Sequence, residues 1–248
     1  MQSDFLLYVV AGFAAQIVDG ALGMAYGVTA TSLLLSFGIP PAAASATVHT
    51  AECFTTGASA LSHRAFGNVD RFLFRRLLLP GMIGAIAGAF TLTRFEGDAL
   101  RPFVSGYLLV MGCVIALKAF REFPPRAVRT HLSPLAFIGA LIDALGGGGW
   151  GPIVASNLIA RGNDVRLAIG SVNAVEFFVT LAASVTFVVT LGTLDWQIVA
   201  GLAVGGLLAA PFGAWACKHI PVRPLLVLVG LLVIALSVNT LLRHYRLL

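Results

Sequence analysis

Charge is what this chain has least of. Of its 248 residues, 11% are Asp, Glu, Lys or Arg, against about 25% in an ordinary soluble domain. No polar stretch is long enough to fold by itself, which excludes a separate soluble domain. Cysteine is scarce too: Cys53, Cys113 and Cys217 lie in apolar surroundings without metal-ligand spacing and read as small packing residues. His-Glu-x-x-His is absent, which removes an intramembrane metalloprotease. GxSxG is absent as well, which removes a serine nucleophile in a glycine motif. His63, His131, His219 and His244 stand at segment ends, so metal ligation is not expected of them. These absences point away from an enzyme, a metal and a cofactor. The opening MQSDFLLYVV lacks a basic n-region and does not read as a cleaved signal.

Hydrophobicity is present in excess. Hydrophobic residues make up 58% of the chain and the mean hydropathy is +0.92. Eight apolar segments follow one another, over 5–37, 41–62, 72–93, 100–120, 132–160, 166–191, 196–217 and 222–242. That is a polytopic integral membrane protein. The net charge of +5 comes from basic residues between apolar runs. The positive-inside rule accounts for them, so nucleic acid is not an expected partner.

Two of the segments are interrupted. The fifth contains IDALGGGGWGP (Ile142–Pro152), with Asp143 just before the run Gly146, Gly147, Gly148, Gly149. Glycine costs about 1 kcal/mol relative to alanine inside a helix, so the helix is expected to break there. The first segment holds a shorter version, VDGALGMAYGV (Val18–Val28), with Asp19, Gly20 and Gly23. Between the halves runs KAFREFPPRAVRTH, whose Pro124-Pro125 makes a poor helix.

The halves match. A shift of 124 residues places Asp19 on Asp143, Gly23 on Gly147, Tyr26 on Trp150, His49 on Asn173 and Glu52 on Glu176. One inserted residue later, GNVD (Gly67–Asp70) matches GTLD (Gly192–Asp195), and Arg101-Pro102 echoes Arg223-Pro224. So many matches in order indicate an internal duplication: residues 1–121, a linker over 122–131, and residues 132–248. If all eight segments cross, the two faces carry ten and six basic residues; if the two broken segments enter and return, the split is twelve to four. The second arrangement fits the positive-inside rule better. The expected fold is an all-α polytopic membrane protein of two inverted repeats. Each has one glycine-broken segment, re-entrant or discontinuous, and three transmembrane helices.

With these residues in view, the chain resembles the sulfite exporter TauE/SafE family over nearly its whole length. The phrases that carry the resemblance are VDGALGMAYGV, IDALGGGGWGP, PPAAASATVHTAECF (Pro40–Phe54) and RLAIGSVNAVEFF (Arg166–Phe178). The resemblance implies a small multi-pass permease of the bacterial inner membrane that moves sulfite or an organosulfonate. A structural membrane protein, or an intramembrane enzyme without transport, is the alternative. Import or export, and a homo-oligomeric state, stay open.

Glu52 and Glu176 fall near the middle of their segments, where a carboxylate is costly unless paired, solvated or protonated. They read as groups for proton coupling, or as structural bonds to broken helix ends. A bound oxyanion beside them is expected to require a proton on at least one. His49 and Asn173 precede them by three residues and share their faces. With Thr47 and Ser171 they make a polar ring suited to an oxyanion, although His49 alone would read as a satisfied core histidine. Asp19 and Asp143 read as structural groups at the helix breaks. The N–H groups of Gly20–Gly23 and Gly146–Gly149 are the expected anion ligands, against a simple role in close helix packing. Tyr26, Trp150 and Pro152 are expected beside the pocket. No Lys or Arg lies deep in any segment, so none is expected at the site.

Overall fold

The computed structural model describes residues 2–22, 24–95, 99–120, 130–192, 194–219 and 222–245, and these form helices and turns without a strand. Hydrocarbon offers no hydrogen-bond partner, so a spanning segment must satisfy its backbone internally, and a helix does so. The first half contains α1 (Gln2–Leu22), α2 (Tyr26–Ser36), α3 (Pro41–Ala65), α4 (Arg71–Leu92) and α5 (Arg101–Lys118). The second contains α6 (Leu132–Gly146), a π-helical turn (Gly151–Ala155) running into α7 (Ser156–Ala160), then α8 (Val165–Leu191), α9 (Trp196–His219) and α10 (Val222–His244). Of the expected linker, 122–129 lies outside the described residues, as does Gly23.

The matched GNVD and GTLD phrases become matched helix starts. Asp70 Oδ1 accepts from the N–H groups of Phe72 (2.8 Å) and Leu73 (3.3 Å) at the start of α4. Asp195 Oδ1 accepts from Gln197 (3.0 Å) and Ile198 (3.4 Å) at the start of α9. Each acid satisfies donors that the first turn leaves unpaired.

Among the described residues, four helical stretches are long and apolar enough to cross a bilayer: Arg71–Leu92, Arg101–Lys118, Leu167–Leu191 and Leu226–His244. Large apolar side chains on these helices face outward; Leu79, Val189 and Leu228 are 65%, 77% and 61% exposed. The interior takes the polar ones. Ser45, Thr47, His49, Glu52, Thr55 and Thr56 of α3 are all buried. This distribution, apolar outside and polar within, is that of a multi-pass membrane protein.

Packing relates the two halves. Phe5 and Tyr8 of α1 meet Gly201, while Val9 and Phe13 meet Gly205, so α1 and α9 run parallel. Likewise Phe137 meets Gly84 and Leu141 meets Gly88, so α6 and α4 run parallel. Small residues let these backbones approach closely, which is how helices associate where the solvent is itself apolar. The first helix of each half thus packs on the fourth element of the other. The pair α3 and α8 runs antiparallel: Cys53 faces Ser184, Gly57 faces Phe177, and Ser59 donates to Asn173. So does the pair α5 and α10, where Gly112 meets Ile234 and Gly230 meets Ala116.

Candidate functional site

The two chain breaks meet each other. The first follows Leu22, and α2 starts at Tyr26 after Ala25, which holds φ 97°. The second follows Gly146, where Gly147, Gly148 and Gly149 have φ of 68°, 155° and 158°. An L side chain rarely adopts such a backbone, so the glycine run permits this turn. Gly148 lies directly on the Gly27–Val28 backbone. Thr31 Oγ1 of α2 donates to the Gly147 carbonyl. Gly20 sits in the last turn of α1, because one isolated glycine costs a helix too little to end it.

A small pocket lies where the breaks touch. It is lined by Asp19, Glu52, Asp143 and Glu176, and by Ala25–Val28 and Gly149–Pro152 at the starts of the two short arms. Two pairs of acids from matched positions therefore face one spot. Its free volume is about 10 Å³, room for about one water. Glu52 is 5% exposed, and among the described residues neither Glu52 nor Glu176 has a hydrogen-bond partner on its carboxyl group. Both free carboxyls point into the pocket.

Asp19 and Asp143 do different work from the glutamates. Asp143 Oδ1 accepts from the Trp150 N–H at 2.9 Å, seven residues on, and closes the second break. Asp19 Oδ1 accepts from the Tyr26 N–H across the same interval, at 3.4 Å. The other oxygen of Asp143, Oδ2, lies 3.1 Å from His49 Nε2. His49 Nδ1 lies 2.8 Å from the Ser45 carbonyl oxygen. A carbonyl only accepts, so Nδ1 carries a hydrogen. The contact between Nε2 and Oδ2 then holds one further proton, carried by one atom or the other. His49 and Asp143, 0% and 4% exposed, form a buried pair that joins α3 to the second break.

The remaining expected residues scatter. The N–H groups of Gly147 and Gly148 donate to the Asp143 carbonyl and are thereby satisfied within the turn. Gly146 and Gly149 pack on Tyr107. Asn173 does not join His49: its amide donates to the Ile169 carbonyl at 3.0 Å, and its oxygen accepts from Ser59. Ser171 accepts from the Asp70 N–H at 2.8 Å.

Two residues at the second break were not foreseen. Tyr107 Oη donates to the Gly148 carbonyl at 2.7 Å. Lys118 Nζ donates to the Pro152 carbonyl at 2.9 Å and to Ser156. The sequence carried a hint of each: a lone tyrosine in an apolar helix, and a cation at the end of one. Neither hint says which backbone it reaches.

Polar groups gathered inside a bundle of apolar helices, around two helix breaks, are an arrangement found where transporters bind substrate. Comparison with known proteins agrees. Residues 8–240 match the family described as sulfite exporter TauE/SafE, and the chain belongs to that family. It is 40% identical to "Probable membrane transporter protein YtnM" of Bacillus subtilis (strain 168), over 97% of this chain and 83% of that protein. It is 26% identical to "Probable membrane transporter protein ORF9" of a Sinorhizobium species, over 94% of this chain and 90% of that one. No solved structure matches significantly. The protein is a multi-pass membrane transporter.

Proposed function

We propose that this transporter moves a small sulfur-containing oxyanion, sulfite or an organosulfonate, across the bacterial inner membrane, and that protons on the central carboxylates move with it or against it. The family supports the substrate class. One observation carries the coupling: four carboxyl groups face the single pocket where the two breaks meet. An anion entering that pocket beside ionised acids would meet strong repulsion in a low dielectric. The two share the space when protons balance the charge. The starts of α2 and of the π-helical turn supply N–H groups at Gly27, Val28 and Gly151, and helix N-termini attract anions. Of the residues expected at the site, His49 and Gly149 stand beside this position. The pocket holds about one water in this closed form, so the cycle must open it.

The two halves are read as inverted, with re-entrant broken segments. Support comes from α3 and α8, which match in sequence and run antiparallel. Further support comes from Arg161 Nη1, which donates to the Thr130 carbonyl at 2.9 Å and ties the two ends of the fifth segment together. In this arrangement one face carries twelve Lys and Arg and the other four, which makes the first cytoplasmic. A reporter active only in cytoplasm, fused after Leu248, is then expected to stay silent. A strong signal from it overturns the topology.

Coupling is tested by sulfite flux in proteoliposomes under an imposed pH gradient. Wild-type flux is expected to follow the gradient. Glu52→Gln and Glu176→Gln are each expected to weaken that dependence. Wild-type pH dependence in both variants would mean the acids are structural.

A further inference from the structure

A second and much larger cavity lies away from the central pocket. It opens between α3, α4 and α8 and has a volume of about 940 Å³, room for roughly thirty waters at the liquid's share of volume. That is far more than a single small oxyanion occupies. Its walls are apolar, with Phe54 and Leu61 on α3 and Phe177 and Phe178 on α8. Phe54 and Leu61 are 54% and 72% exposed, so the cavity is open at the side rather than enclosed.

Its charged groups gather at one end. Arg64 lies in the last turn of α3, and Arg71 and Arg75 are one turn apart at the start of α4. All three line the cavity, and no carboxylate does. Among the described residues none of the three forms an ion pair or hydrogen bond. The nearby Asp70 accepts from N–H groups at the start of α4. From Arg64 to Phe54 is ten residues of helix, about 15 Å at 1.5 Å per residue. An apolar cleft of that depth under a cluster of free arginines has the shape and charge of an amphiphile's site.

We propose that this cavity binds an anionic phospholipid. Its phosphate lies among Arg64, Arg71 and Arg75, and an acyl chain runs along Leu61, Phe54 and Phe177. The site opens sideways between exposed apolar side chains, so its ligand arrives from the bilayer rather than from water. The three cations lie at the helix ends, where a headgroup sits. Basic pockets between transmembrane helices select acidic headgroups by this chemistry. A zwitterionic lipid would bring its own cation into the cluster and lose the advantage.

The test uses the whole protein in detergent, titrated with phosphatidylglycerol or phosphatidylcholine and read by native mass spectrometry. Phosphatidylglycerol is expected to bind at least tenfold more tightly. The combined variant Arg64→Gln, Arg71→Gln, Arg75→Gln is expected to bind the two lipids equally. Should that variant not fold, Arg75→Gln alone is expected to lose a measurable part of the preference. Glycerol phosphate, the headgroup without chains, is the control and is expected not to displace the lipid. Equal binding of both lipids by the wild type, or an unchanged preference in the arginine variants, overturns the proposal. Displacement by glycerol phosphate or by inorganic phosphate makes this a plain anion site and overturns the lipid assignment. Transport is not the readout, so the result stands whatever the central pocket carries.

Discussion

The two chain breaks match in sequence and differ in how they are held. The second is tied on every side. Asp143 closes it onto Trp150 at 2.9 Å and binds His49, Tyr107 holds the Gly148 carbonyl, and Lys118 holds that of Pro152. The first has Asp19 at a longer 3.4 Å from the Tyr26 N–H. Asn173, which stands where His49 does, turns instead to Ser59 and its own helix. Aligned through the Arg-Pro match, α10 offers Val229 and Thr240 where α5 offers Tyr107 and Lys118. Thr240 donates to the Leu236 carbonyl within its own helix. The difference teaches that a match in sequence does not carry over the bonds that hold each break. Among the described residues the second break carries more hydrogen bonds than the first.

The strongest challenge to that contrast is to remove each aspartate. Asp143→Ala leaves His49 Nε2 and the Trp150 N–H without partners. Each buried polar group left unsatisfied costs about 1–3 kcal/mol. Asp19→Ala removes one long hydrogen bond, with a cost of about 1 kcal/mol. Thermal unfolding of the two variants in the same detergent compares them, and equal losses would erase the distinction.

A bulky residue at Gly148 comes next. Gly148→Leu drives a side chain into the Gly27–Val28 backbone. Overpacking of this kind costs about 1–3 kcal/mol and should prop the breaks apart. Sulfite flux is expected to fall to background while the protein still purifies as a folded species. Flux near wild type would mean that the breaks do not need to touch.

Tyr107→Phe deletes only the hydroxyl that holds the Gly148 carbonyl. The expected loss is about 1 kcal/mol, seen as a small drop in unfolding temperature. Val229, at the matched place in α10, has no polar side-chain atom, so it offers no brace of this kind.

The smallest effect has the opposite sign. Ala25 stands where the second half has Gly149, and it holds φ 97°. A left-handed backbone costs a non-glycine residue about 1–2 kcal/mol. Ala25→Gly relieves that strain and is expected to stabilise the protein by about 1 kcal/mol at most, since glycine also loosens the unfolded chain. A lower unfolding temperature would show that Ala25 makes a contact worth more than its strain.

Much of this molecule can be read without coordinates. The membrane class follows from composition, because a chain with so few charges has too little polar surface for water. The match between the halves follows from spacing, since Asp19, Glu52 and Asp70 recur as Asp143, Glu176 and Asp195 at nearly constant intervals. The glycine run marks the second break because only glycine tolerates three successive positive φ angles. The first break is less legible: Gly20 continues α1, and the turn passes through Ala25, whose conformation no propensity predicts.

What the sequence by itself determined is local or periodic: apolar runs, caps, the breaking glycines, and the repeat that pairs one half with the other. Hydrogen-bond needs and helix propensities act over a few residues, so they are written in a few residues. The tertiary structure alone decided which polar groups meet. His49 lies 94 positions from Asp143, and Tyr107 lies 41 from Gly148. Such contacts depend on crossing points between helices, set by where small residues let backbones approach. The sequence match made Asn173 look equivalent to His49, yet among the described residues His49 reaches the opposite break and Asn173 does not. In a packed interior a side chain bonds the neighbour that the crossing brings within 3 Å, and the spacing along the chain does not record that neighbour.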